Sequence, residues 1–94
     1  MDFGCGIGRL TRALRPHFRQ CHGVDISRHM LEMARRLAPD CDFREGHDPS
    51  SFPTGQVDFL YSLRVLQHQP DSHRAARLIV DMVRVVAPGG LLIF

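Results

Sequence analysis

Three glycines stand at alternate positions near the start of the chain: Gly4, Gly6 and Gly8 in the run "DFGCGIGRLT". Glycines serve binding chemistry by lacking a Cβ, so a ligand can lie directly against the backbone. Two carboxylates accompany them. Asp2 immediately precedes the turn, and Asp25 lies in "HGVDI". A carboxylate beside such a turn repels a pyrophosphate and favours a ligand carrying positive charge. A carboxylate at the end of the next strand can accept both hydroxyls of a ribose. The N-terminus of the helix that follows the turn can receive a carboxylate of the ligand. These residues predict a nucleoside with a cationic end.

Spacing separates two candidate ligands. The dinucleotide fingerprint G-x-G-x-x-G needs its third glycine five positions after the first. Counted from Gly4, that position is Arg9, and the third glycine comes one place early, at Gly8. Asp25 suits any adenosine ligand. Asp2 suits the ammonium and sulfonium of S-adenosylmethionine and disfavours a nicotinamide dinucleotide, the cofactor of the oxidoreductase alternative.

The surrounding sequence must hold this turn between a strand and a helix. Leu10, Ala13, Leu14 and Phe18 recur at helical spacing, which predicts a helix from about Arg9 to Phe18, weakened in its last turn by Pro16. His22–Ile26 reads as a short buried strand. Ser27 suits the N-cap of a second helix, with Met30, Leu31, Ala34, Leu37 and Ala38 on its apolar face and Pro39 beyond its end. Cys41–Glu45 is a weak strand, residues 46–56 a loop, and Val57–Ser62 a strand. Residues 64–71 form one short helical turn. A third helix begins after Asp71 or Ser72, with Ala75, Leu78, Ile79, Met82, Val83 and Val86 at i, i+3, i+4, i+7, i+8 and i+11. "APGG" (residues 87–90) stops it, and Leu91–Phe94 begins another strand. Apolar strands alternating with amphipathic helices predict an α/β domain with a mainly parallel sheet.

Composition closes off other classes. The 94 residues suffice for one small domain, and 44% of them are hydrophobic. A formal charge of +2 with dispersed arginines gives no nucleic-acid footprint. No apolar run nears the roughly 20 residues of a membrane helix, and no signal peptide is evident. The three cysteines form no C-x-x-C pair, which predicts reduced thiols and a cytoplasmic location. The six histidines and three cysteines lack metal-ligand spacing, so no metal is expected. Cys5 reads as a small packing residue, and His68 as a packed histidine near the sheet tip.

Taken together, these segments resemble the class I, Rossmann-like S-adenosylmethionine-dependent methyltransferases, of the bacterial small-molecule type. Asp2–Thr11 resembles the family's first, cofactor-binding motif. Gly23–Ser27 with Met30, Leu31 and Ala34 resembles the second strand and its helix. Val57–Asp71 is similar to the fourth-strand motif, often F-D-x-V-x-S followed by V-L-x-H. Arg84–Phe94 resembles the entry to the fifth strand. The resemblance implies that Asp2, Gly4, Gly6 and Gly8 line the methionine end, that Asp25 holds the ribose, and that Ile26 packs near the adenine. It gives the adenine amino group to Asp48. It places Ser62 and Leu63 at the border of the methyl-transfer site, facing a small-molecule acceptor.

The resemblance also carries departures. Only Met1 precedes Asp2, so the family's central first strand is expected to be nearly absent, and the last two strands are absent as well. Residues 1–94 are therefore expected to form one partial domain, a cofactor-binding core. Backbone groups on the first strand's two neighbours should lose partners. A non-catalytic remnant or interaction module is the alternative that this truncation raises. No residue stands out as a general base.

Overall fold

The computed structural model describes residues 1–94. Strands and helices alternate as read from the sequence: β1 (Asp2–Phe3), α1 (Arg9–Leu14), β2 (His22–Asp25), α2 (Arg28–Leu37), β3 (Asp42–Glu45), β4 (Val57–Tyr61), α3 (Ser72–Val85) and β5 (Val86–Ile93). Single 3-10 turns lie at Arg15–His17, Pro49–Ser51 and Leu66–His68. The five strands form one parallel sheet in the order β3-β2-β1-β4-β5. The strand order reverses at β1, so the carboxyl ends of β1 and its neighbours form the switch point where sheets of this kind bind ligands.

Side chains alternate between the two faces of each strand. Phe3, Val24 and Leu60 join Leu78, Met82 and Val85 of α3 in the larger core cluster. Leu31, Ala34 and Ala38 close over Phe43 and Cys5 in a second cluster. Asp2 and Tyr61 are paired across β1 and β4. Helix boundaries have local causes. The Ser27 side chain accepts the Met30 amide and caps α2, and the Asp71 side chain accepts the Arg74 amide and caps α3.

Several boundaries differ from the sequence reading. The first helix stops at Leu14, and Pro16 lies in the 3-10 turn that follows. Leu10 is exposed, as are Met30 and Leu37 of α2 and Val83 of α3. Each of these helices buries a narrower stripe than its apolar pattern offers; in α3 it is Leu78, Met82 and Val85, at i, i+4 and i+7. "APGG" does end α3, yet it lies inside β5 rather than before it. The register jumps there, with Val57 opposite Val86 and Phe59 opposite Leu91, so the extra residues bulge from the ladder.

The short first strand is central, as expected, and its rungs are made. Gly4 and Cys5 amides donate to Val24 O, the Tyr61 amide donates to Met1 O, and the Met1 amine donates to Phe59 O at 2.6 Å. Below these rungs no strand separates β2 from β4. A cavity of about 630 Å³ lies there, with Cys21 and His22 on one wall and Val57–Phe59 on the other. No helix is long and apolar enough to cross a membrane.

Candidate functional site

The glycine turn leaves β1 at its carboxyl end. Gly4, Gly6 and Gly8 all have positive φ (83°, 53° and 74°), which accounts for glycine at every second position. Two of them face different surroundings. A Cβ on Gly4 would stand 2.2 Å from Val65 Cγ2, so the segment after β4 is laid directly on the turn. A Cβ on Gly6 would meet nothing within 4 Å. Gly6 is the position where backbone faces open space that a ligand can fill.

Asp25 ends β2 beside this opening. Its Oδ2 accepts the Gly6 amide at 2.8 Å, and its Oδ1 accepts the Ser27 amide at 2.9 Å. One carboxylate thereby ties the glycine turn to the start of α2. Each oxygen retains acceptor capacity, enough for the two hydroxyls of a ribose. Ile26 follows and is 64% exposed, an apolar surface beside the carboxylate. The turn, the half-buried carboxylate and the exposed Ile26 fit an adenosine ligand.

Asp2 lies beneath the turn rather than in the opening. It is 4% exposed, and its Oδ2 accepts the Thr11 hydroxyl at 2.6 Å. Burial raises its carboxyl above the usual range, and the Thr11 bond partly offsets this. Tyr61, opposite Asp2 in the sheet, has its hydroxyl buried without a partner. Burial, with Asp2 alongside, pushes that phenol up. The sequence reading missed Thr11 and Tyr61. The signal for Thr11 was its spacing, one i+3 step past Gly8 on the helix that the turn launches. Tyr61 had no local signal, because parallel register alone sets it beside Asp2.

The other expected residues each have their own surroundings. The Asp48 Oδ1 accepts the Ser50 amide at 2.8 Å, starting the 3-10 turn. The Ser50 hydroxyl and amide hold the Asp48 carboxyl below the usual range. Ser62 follows β4, 2% exposed, its amide donating to Ile93 O and its hydroxyl without a partner. Leu63 is exposed just beyond it. The Cys5 thiol is pushed up to about 12 by burial, reinforced by Asp2 and Asp25, which agrees with a packing role. No group of three or more histidine, cysteine or acidic side chains comes together as a metal site.

Known proteins share this fold. The family described as a methyltransferase domain matches residues 1–94. The chain is 33% identical over 94 residues to trans-aconitate 2-methyltransferase of Azoarcus sp., covering 98% of this chain and 36% of that protein. It is 34% identical to 2-methyl-6-phytyl-1,4-hydroquinone methyltransferase of Synechocystis sp., covering 99% and 30%. It therefore spans about a third of the length of these relatives. Among solved structures, an S-adenosylmethionine-dependent methyltransferase from Mesorhizobium loti superposes with a TM-score of 0.79 at 28% identity, covering 97% of this chain and 43% of that one. A SAM-bound amino pentose methyltransferase from Micromonospora echinaspora superposes at 0.86 with 26% identity, covering 97% and 39%. The parallel sheet, the G-x-G-x-G turn tied to Asp25 and the match along the whole chain lead to one conclusion: the chain belongs to the Rossmann-like, S-adenosylmethionine-dependent methyltransferases.

Proposed function

We propose that this chain is the S-adenosylmethionine-binding core of an enzyme that methylates a small molecule. The observation that carries the reading is the double tie of Asp25 to the Gly6 and Ser27 amides, beside open backbone at Gly6 and exposed Ile26. In this reading Gly4, Gly6 and Gly8 receive the methionine end, Asp25 takes the ribose, and Ile26 lies against the adenine. Asp48 faces the adenine amino group. Asp2 supplies negative charge from beneath the turn. Ser62 and Leu63 border the acceptor.

The cofactor, when bound, supplies a methyl group already activated on a sulfonium. What remains for the chain is to hold, orient and keep water away. That division of labour agrees with the absence of any paired acid and base at the switch point. Its unpaired cysteines support a reducing, cytoplasmic setting.

Calorimetric titration of S-adenosylhomocysteine, with NAD as control, tests the reading. Saturable binding of the first and none of the second is expected, with binding lost in Asp25→Ala. Binding of NAD alone, or of neither, overturns it.

A further inference from the structure

The segment after β4 holds a feature that cofactor binding does not use. Arg64 is the chain's one non-glycine residue with positive φ, at 63°. Glycine would take this conformation freely, whereas arginine brings a Cβ into conflict with its own backbone. Residues kept in such conformations against a cost concentrate at ligand sites. Its place fits. Val65 Cγ2 stands 2.2 Å from where a Gly4 Cβ would be, and Leu63 O stands 4.0 Å from it. Arg64 is therefore held between two residues that lie against the glycine turn. It is exposed, and its guanidinium takes part in none of the chain's hydrogen bonds or ion pairs.

Two further observations define what it would receive. The Ser62 hydroxyl, immediately before this segment, is buried and without a partner, an unmet donor and acceptor at the strand tip. The flanking sequence is also free of acids. Phe3–Val24, which holds the glycine turn and α1, contains no Asp or Glu, and neither does Phe59–Pro70. Asp71, next in line, is engaged as the cap of α3. Arg64 and His68 belong to the second of these segments, and the carboxylates at the turn are already engaged: Asp25 by the Gly6 and Ser27 amides, and the buried Asp2 by the Thr11 hydroxyl.

We infer that Arg64 receives the negative charge of the methyl acceptor, and that the acceptor is a small carboxylate; the inference rests on the methyltransferase reading of the same site. The planar guanidinium matches a carboxylate through two parallel N–H donors. An acid of this kind is ionised at neutral pH. Its nucleophilic oxygen carries no proton to remove: with the cofactor bound, the new O–CH3 bond would form as the sulfonium S–CH3 bond breaks, the electron pair leaving on the neutral thioether. The cost of the left-handed arginine is then the cost of placing this fork beside the turn.

The test loads the chain with S-adenosylhomocysteine and titrates propane-1,2,3-tricarboxylate, its neutral trimethyl ester and inorganic phosphate at constant ionic strength. Wild type, Arg64→Lys and Arg64→Gly are compared by calorimetry and thermal melting. The tricarboxylate should bind, and the ester and phosphate should not. Arg64→Gly should weaken tricarboxylate at least tenfold and leave S-adenosylhomocysteine within twofold. It should also melt a few degrees higher, because glycine relieves the backbone. Arg64→Lys should weaken the tricarboxylate less, keeping charge without the fork. Tricarboxylate that fails to bind, binds no better than phosphate, or binds Arg64→Gly as well as wild type overturns the inference. So does a lower melting temperature for Arg64→Gly, which would mark Arg64 as a structural residue. Failure of S-adenosylhomocysteine itself to bind overturns the underlying reading, and it is seen before any carboxylate is added.

Discussion

The Gly6 amide donates to Asp25 Oδ2 at 2.8 Å across nineteen residues of sequence, and this bond joins the first turn of the fold to the end of its second strand. The other oxygen of the same carboxylate accepts the Ser27 amide at the start of α2. Removing the side chain should therefore do two things at once. Asp25→Ala should abolish S-adenosylhomocysteine binding and cost about 2 kcal/mol of stability, since each lost bond has a charged partner. Asp25→Asn keeps one amide acceptor and should fall between the two. Titration calorimetry and denaturant unfolding on the same samples read both effects.

Gly4 and Gly6 should separate folding from binding. Alanine at Gly4 places a methyl group 2.2 Å from Val65 Cγ2 at a φ of 83°. The strained backbone and the overlap together should cost about 2–4 kcal/mol. Alanine at Gly6 meets nothing within 4 Å, so it should cost only the conformational penalty, about 1–2 kcal/mol. Its methyl group would nevertheless occupy the ligand's side of the turn. Gly6→Ala should lose affinity out of proportion to stability, while Gly4→Ala should lose stability first. Comparing melting temperature with S-adenosylhomocysteine affinity in the two variants decides this.

Asp2 sets a pH dependence of known sign. Burial raises its carboxyl in the folded chain above the ordinary value. A group raised in this way stabilises the fold below its unfolded pKa, and the contribution is lost as pH rises through the folded value. Relative to Asp2→Asn, wild type should thus lose stability from about pH 4 upward, where an ordinary carboxyl ionises. The difference between the two proteins cancels the other titrating groups. Denaturant unfolding over a pH series measures it, and a flat difference would remove Asp2 from the list of buried ionising groups. Thr11→Val deletes the 2.6 Å bond to Asp2 and should steepen the loss.

Met82 should carry the core. It is fully buried in the cluster that joins α3 to Phe3, Val24 and Leu60. Met82→Ala should cost about 2–5 kcal/mol, a large share of the roughly 5–15 kcal/mol available to a small domain. Thermal unfolding with and without S-adenosylhomocysteine should show a lower midpoint in both cases and a ligand-induced rise that persists.

Much of this protein is local in origin. The alternate glycines, the caps at Ser27 and Asp71, the helix stop at residues 87–90 and the βα alternation all follow from backbone and side-chain preferences over a few residues. They were enough to give the fold class, the family and the cofactor. Boundaries were less legible, because competition for covering surface decides them. Leu10, Met30, Leu37 and Val83 continue apolar stripes yet are exposed. The bulge at residues 87–90 exists only because β5 must pair with β4.

The site divides in the same way. Sequence by itself singled out the glycines and Asp25 as residues that could meet a nucleoside, whereas the exposure of Ile26, read from the sequence as the end of a buried strand, came from the structure. Tertiary structure alone decided how they are held. It set the Asp25 carboxylate on the Gly6 amide, buried Asp2 under Thr11 beside Tyr61, and laid Val65 on Gly4. It also forced Arg64 into a left-handed turn. All but the last are contacts between separate elements of the fold. Parallel register and the packing of loops over strand ends fix such contacts, and no local pattern of residue types records either.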